Sequence, residues 1–219
     1  MLRARRSIEW ICGTMPPATA SEQSKEIFAK LSDEAWQQLG SRPLSELSLA
    51  NVAKLAEVNV VLARAVAGDL HELVLGKIAE LDDKAILETF DDIEDAGEIS
   101  IREKILEALM HRFEVYAPYR KQINSLTKAA LVQPDLGIAL SSRLKNTTRR
   151  ILAMAGDSCD GWRGLIRLKG VMGVVILVAR VWMKDKSQDL APTMKALDQR
   201  LQQAEEWGVS LKLFSQKKE

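Results

Sequence analysis

A chain of 219 residues can fold as one large domain or two small ones and can bury most of the surface it would expose unfolded. With 47% hydrophobic and 28% charged residues, it is excluded from the disordered class. Its 31 basic and 30 acidic side chains leave a formal charge of +1, so no overall field draws it towards nucleic acid.

Residues 1–21 read as a loose arm. Arg3, Arg5 and Arg6 precede an apolar stretch too short for a secretory signal, which needs about 7–15 such residues. A first helix is expected from about Glu22 to Leu39, with Ile27, Leu31, Ala35 and Leu39 on one face. The turn-rich "GSRPLSEL" then breaks the chain. Short second and third helices follow around Leu49–Leu55 and Val60–Ala67, ending near Gly68. Asp69 should cap a fourth helix from Leu70, and acidic "DDIEDAGE", Asp91 to Glu98, reads as a linker or solvated turn. Ser100 with Glu103 forms a capping-box pattern for the next helix, whose stripe is Leu106, Leu109, Met110 and Phe113. Pro118 interrupts before a helix to about Leu131, Pro134 opens a segment that closes at Gly156, and a long helix spans about Gly161 to Met183. The last helix has Asp189 as its expected cap and a seam of Leu190, Met194, Leu197, Leu201 and Ala204. The fold class is all-α: a head over 22–82, a larger helical domain over 83–208 and a tail over 209–219.

Little here points to chemistry. His71 and His111 lie in no HExxH or ExxH arrangement, and both read as partly exposed helix residues rather than metal ligands. Asp82–Asp83 and Asp91–Asp92 read as solvent-facing pairs. Neither a GxSxG nor a Gly-rich phosphate loop occurs, so no enzyme, cofactor or metal is expected. Cys12 and Cys159 make no disulfide framework, the pattern of a reducing compartment. The longest apolar run, Val171 to Ala179, falls short of the roughly 18 residues a membrane span needs. The expectation is a cytoplasmic protein, with peripheral contact at an inner membrane left open.

The segment "LSLANVAKLAEVNVVLARAVAGDLHEL" has the rhythm of a helix-turn-helix, which reads DNA with polar side chains on its second helix. That helix offers only Asn59 at its cap and Arg64; the rest is Val, Leu or Ala. Lys54 and the arginines of the arm are weak supplements. The segment resembles the head of the TetR regulators, which typically ends in Tyr-x-x-Phe followed by a Lys that anchors the DNA backbone. Those positions are Arg64, Ala67 and Leu70 here, and the usual turn glycine is Glu57. The packing positions Val52, Ala53, Ala56, Val58 and Leu73 are kept.

The stretch from Ala155 to Gly208, with "AGD" at 155–157, Trp162, and the Ser187–Leu190 turn, resembles the coenzyme Q biosynthesis protein nine family. "LMHRFEVYAPYRKQI", from Leu109, fits it too. The resemblance covers most of residues 25–208. It implies a TetR-like fold with a degenerate head, an isoprenoid lipid (a ubiquinone precursor) as ligand, and a ubiquinone-pathway hydroxylase as partner. It also implies that Ile151, Leu152, Trp162 and Arg163 form the surface that meets this partner. Eukaryotic members carry a further membrane-binding helix, where here only "VSLKLFSQKKE" follows Gly208, and a longer loop than "DSCDG" before the tryptophan.

On its own merits the helix from Gly161 is apolar nearly all round in its C-terminal half and should be buried on several sides. Leu165, Leu168, Met172, Val175, Ala179 and Trp182 fall along one face, with Ile176 adjoining. Those seven residues are the expected lipid contacts; a tightly packed core or a homodimer seam explains the same pattern. Three readings follow. The first, a lipid-binding accessory protein, is preferred because the head lacks its DNA anchors; the others are a TetR-type regulator, reading DNA through Asn59 and Arg64, and a structural dimer.

Overall fold

The computed structural model describes residues 20–95, 98–157 and 159–210. The expected arm over 1–21 and tail over 209–219 lie almost wholly outside the described residues. Among those residues there are nine α-helices and no strand. They are α1 (Ala20–Leu39), α2 (Leu49–Leu55), α3 (Val60–Val66), α4 (Leu70–Asp95), α5 (Ile101–Tyr116), α6 (Arg120–Val132), α7 (Pro134–Met154), α8 (Gly161–Trp182) and α9 (Ala191–Ser210). Single 3-10 turns at Leu44–Glu46 and Ala117–Tyr119 precede α2 and α6.

The head is built from locally satisfied backbone. Ser48 caps α2 by accepting from Asn51 N–H, and Asn59 caps α3 by accepting from Val61 and Leu62. Between them Val58 N–H donates to the Ala53 carbonyl and Glu57 N–H to that of Lys54, the double bond of a Schellman turn. That turn requires a left-handed residue, and Glu57 adopts φ 56° in place of a glycine. Leu31, Ala35, Trp36 and Leu39 of α1 are buried with Val52, Ala53, Ala63 and Ala67 of the head.

Two expectations change along α4. Asp69 does cap it, accepting from Glu72 N–H at 2.8 Å while the Glu72 carboxylate accepts from Gly68 N–H at 2.7 Å. The helix then runs unbroken to Asp95, so most of the acidic stretch expected as a linker is helical. The reason is that Leu81, Ala85 and Thr89 continue its buried stripe while Asp91, Asp92 and Glu94 face water. The boundary drawn between residues 82 and 83 therefore falls inside one helix. That helix packs on α1 and on α5 and α7, so head and body share it.

The body is organised around α5, which touches α4, α7 and α9. Its capping box forms as expected: Ser100 Oγ accepts from Glu103 N–H, and the Glu103 carboxylate accepts from Ser100 N–H. The long pair α8 and α9 pack along each other. Their junction is fixed by Asp185, whose carboxylate accepts from the N–H and Oγ of both Ser187 and Thr193. Those hydrogen bonds hold its pKa down at about 2. Asp189, the expected cap of α9, accepts only from Ala191 N–H at 3.2 Å, and Asp185 serves the first turn from farther back.

Candidate functional site

The face of α3 that would meet DNA is apolar. Ala63 points inward and is fully buried, while Val61 is 70% and Leu62 43% exposed, with Leu55 of α2 60% exposed nearby in sequence. Arg64 and Ala65 complete the outward set. Asn59 is exposed, but its side-chain oxygen is engaged in capping the helix. Arg64 therefore remains as the one polar side chain on this helix able to reach a phosphate. Ala67 is fully buried, and Leu70, where a TetR head carries its lysine, is packed partly into the core. A side chain turned into the core cannot anchor a backbone phosphate.

The stripe expected to contact lipid along α8 is divided by the structure. Leu168, Val175 and Trp182 are core residues with 1–3% exposure, Met172 and Ala179 are half-buried, and Leu165 and Ile176 face solvent. The line through these seven positions runs along the border between the buried and outward faces, so it marks neither. Trp182 is further committed: its indole N–H donates to the Phe113 carbonyl at 3.1 Å, its ring meets that of Phe113, and the Arg120 guanidinium lies 5.0 Å from its centroid. Nor is the C-terminal half buried on every side. Leu165, Ile166, Ile176, Leu177 and Val181 face outward with the exposed Lys169 and Arg180 among them, and a Cβ built on Gly170 or Gly173 meets nothing within 4 Å.

The expected partner surface is also split. Ile151 and Leu152 are each 1% exposed on α7 and belong to the core, because they follow the buried Thr147 and Thr148 at helical spacing. Trp162 is 62% exposed at the start of α8, with the Arg163 guanidinium 5.4 Å from its ring. Asp157, before the loop that leads to Trp162, is held by α8. Arg167 donates two hydrogen bonds, at 2.8 and 2.7 Å, to the Asp157 carboxylate. A Cβ on Gly164 would stand 2.3 Å from the Cys159 carbonyl carbon, so glycine is required where the loop crosses the helix.

The structure overturns one of the acid-pair readings: Asp82, expected to face solvent beside Asp83, lies in a buried polar group of the body. Asp82, 2% exposed, accepts from Arg112 Nε at 2.7 Å, Tyr116 OH at 2.9 Å and Thr147 Oγ1 at 2.6 Å. Burial works against the Arg112 cation, but Asp82 and Tyr116 together, by charge and hydrogen bonding, outweigh it and raise its pKa, whereas burial pushes the Tyr116 phenol up. Every member is partnered, so the group ties α4, α5 and α7 together and offers no reactive site. The available signal was position: Asp82 follows Ile78 by four residues on a buried stripe. A second missed feature is an open groove of about 950 Å³ between α1 and α4, lined by Phe28, Ala29, Val66, Gly76, Ala79 and Leu87 and edged by charged residues.

These features sit on a TetR-like fold. The chain is similar to a TetR transcriptional regulator from Nitrosomonas europaea ATCC 19718, with a TM-score of 0.66 and 17% identity over 82% of this chain and 98% of that one. It is likewise similar to a TetR transcriptional regulator from Rhodococcus sp. RHA1, with a TM-score of 0.62 and 13% identity over 84% of this chain and 97% of that one. No protein-family model matches the chain, and no curated protein matches it. Among the described residues, no helix is long and apolar enough to cross a membrane.

Proposed function

We propose that this chain is a non-catalytic, lipid-binding accessory protein built on a regulator's fold, taking an isoprenoid ubiquinone precursor and assisting a hydroxylase of that pathway. The outward face of α3 carries this reading. Sequence-specific recognition needs hydrogen-bonding groups aimed at base edges, and Val61 and Leu62 stand there instead. The lipid contact shifts from the stripe first expected to the outward face of α8, where each buried CH2 of a prenyl chain adds about 0.8 kcal/mol. A homodimer seam with α9 is the alternative use of the same face. Of the four expected partner residues only Trp162 and Arg163 are exposed, which supports a role for these two in meeting a hydroxylase.

The test is native mass spectrometry of the protein from its own cells, with extraction of what co-purifies. A prenylated quinone precursor near one per chain supports the proposal. An apo protein that instead shifts one operator fragment over random duplex, with a steep salt dependence, overturns it. That outcome would support the second reading, a TetR-type regulator, which the likeness to two proteins described as such regulators favours.

A further inference from the structure

The outer side of α4 and α5 carries a group of side chains that neither the fold nor the proposed function uses. His111 Nε2 lies 2.7 Å from Asp92 Oδ2 and 3.6 Å from Glu107 Oε1, and the ligand atoms of all three residues fall within 4.8 Å of one another. Glu107 and His111 are four residues apart on α5, which sets both on one face; Asp92 reaches them from the last turn of α4. The pair escapes a search for HExxH or ExxH because its spacing is E-x-x-x-H.

We propose that Asp92, Glu107 and His111 hold one divalent transition-metal ion between α4 and α5. Bonds of about 2.0–2.2 Å place neighbouring ligand atoms roughly 3.3 Å apart around a tetrahedral ion. The observed 2.7 and 3.6 Å separations bracket that spacing. The anchor is the imidazole, whose side chain is 18% exposed, whereas Asp92 and Glu107 are 58% and 49% exposed and can turn onto an ion. Glu114 Oε2 stands 3.9 Å from Nδ1, on the far side of the ring. At that distance it is not hydrogen-bonded to the ring and adds only negative charge beside the site. Among the described residues these three carboxylates have no ion pair except with His111, so the site carries excess negative charge. One imidazole with two carboxylates suits Zn2+, Mn2+, Fe2+, Co2+ or Ni2+ over the all-oxygen preference of Ca2+ and Mg2+. Water completes the coordination at this open surface.

The experiment is calorimetric titration of the chelator-stripped, untagged full chain with Zn2+. One ion per chain is expected. Asp92→Asn and Glu107→Gln, both exposed enough to leave folding intact by circular dichroism, should each weaken binding at least about tenfold, and His111→Ala more. Glu114→Gln should weaken it less. His71→Ala, at the chain's one other histidine, should leave the titration unchanged. Failure of the wild-type chain to take up one ion, or uptake undiminished in Asp92→Asn and Glu107→Gln, overturns the site.

Discussion

Among the exposed apolar side chains of the described residues, those on α3 and those on α8 differ in reach and in what lies beneath them. The face on α3 spans Val61 to Ala65, about 6 Å at 1.5 Å per residue, on a seven-residue helix. It rests on alanines: Ala53, Ala63 and Ala67 are fully buried. The face on α8 runs from Leu165 to Val181, about 24 Å, over a helix whose other side is Leu168, Val171, Val175, Val178 and Trp182. The first is short, and Arg64 is its one polar side chain. The second is long enough to be covered by another helix or a lipid chain. Apolar exposure alone is thus a poor guide; its extent decides what could cover it.

The largest test of that contrast is a charge on α8. Ile176→Asp with Leu177→Asp should weaken self-association or lipid capture about a hundredfold or more, read by sedimentation and by lipid extraction. The same charge at Val61 should leave both unchanged; the reverse pattern would move the binding face to the head. Next come the glycines of α8. Gly164→Ala should destabilise the chain by about 1–3 kcal/mol in urea, since the Cys159 backbone cannot retreat. Gly173→Ala should stabilise the isolated chain by about 1 kcal/mol and loosen any assembly that uses close approach there.

Smaller effects sharpen the head side of the comparison. Glu57→Gly should add about 1 kcal/mol, because the turn already holds a left-handed conformation that costs a glutamate and not a glycine. Arg64→Ala should change DNA association less than about twofold at any salt concentration, by fluorescence anisotropy on specific and random duplexes. A salt slope lowered by about one would instead reveal a working phosphate contact.

The helices were legible from the sequence because their signals are local. The caps at Asp69 and Ser100 and the stripe through Leu109 and Phe113 depend on spacings within a turn or two. The apolar character of α3 was legible too, since no packing turns valine into a hydrogen-bond donor. The outward face of α8 was only half legible. Its apolar content was plain, but which of Leu165 or Leu168 faces water depends on where α5, α7 and α9 lie.

By itself, then, the sequence determined an all-helical chain with a helix-turn-helix rhythm and no polar reading face, because residue type and short spacing suffice for each. Tertiary structure alone decided that α4 continues through its acidic end and that Asp82 is buried with Arg112, Tyr116 and Thr147. It also decided that Ile151 and Leu152 are core and that Asp92 meets His111. Each of these rests on partners at least 19 residues away or on burial by other helices, and no local pattern encodes which helix will arrive.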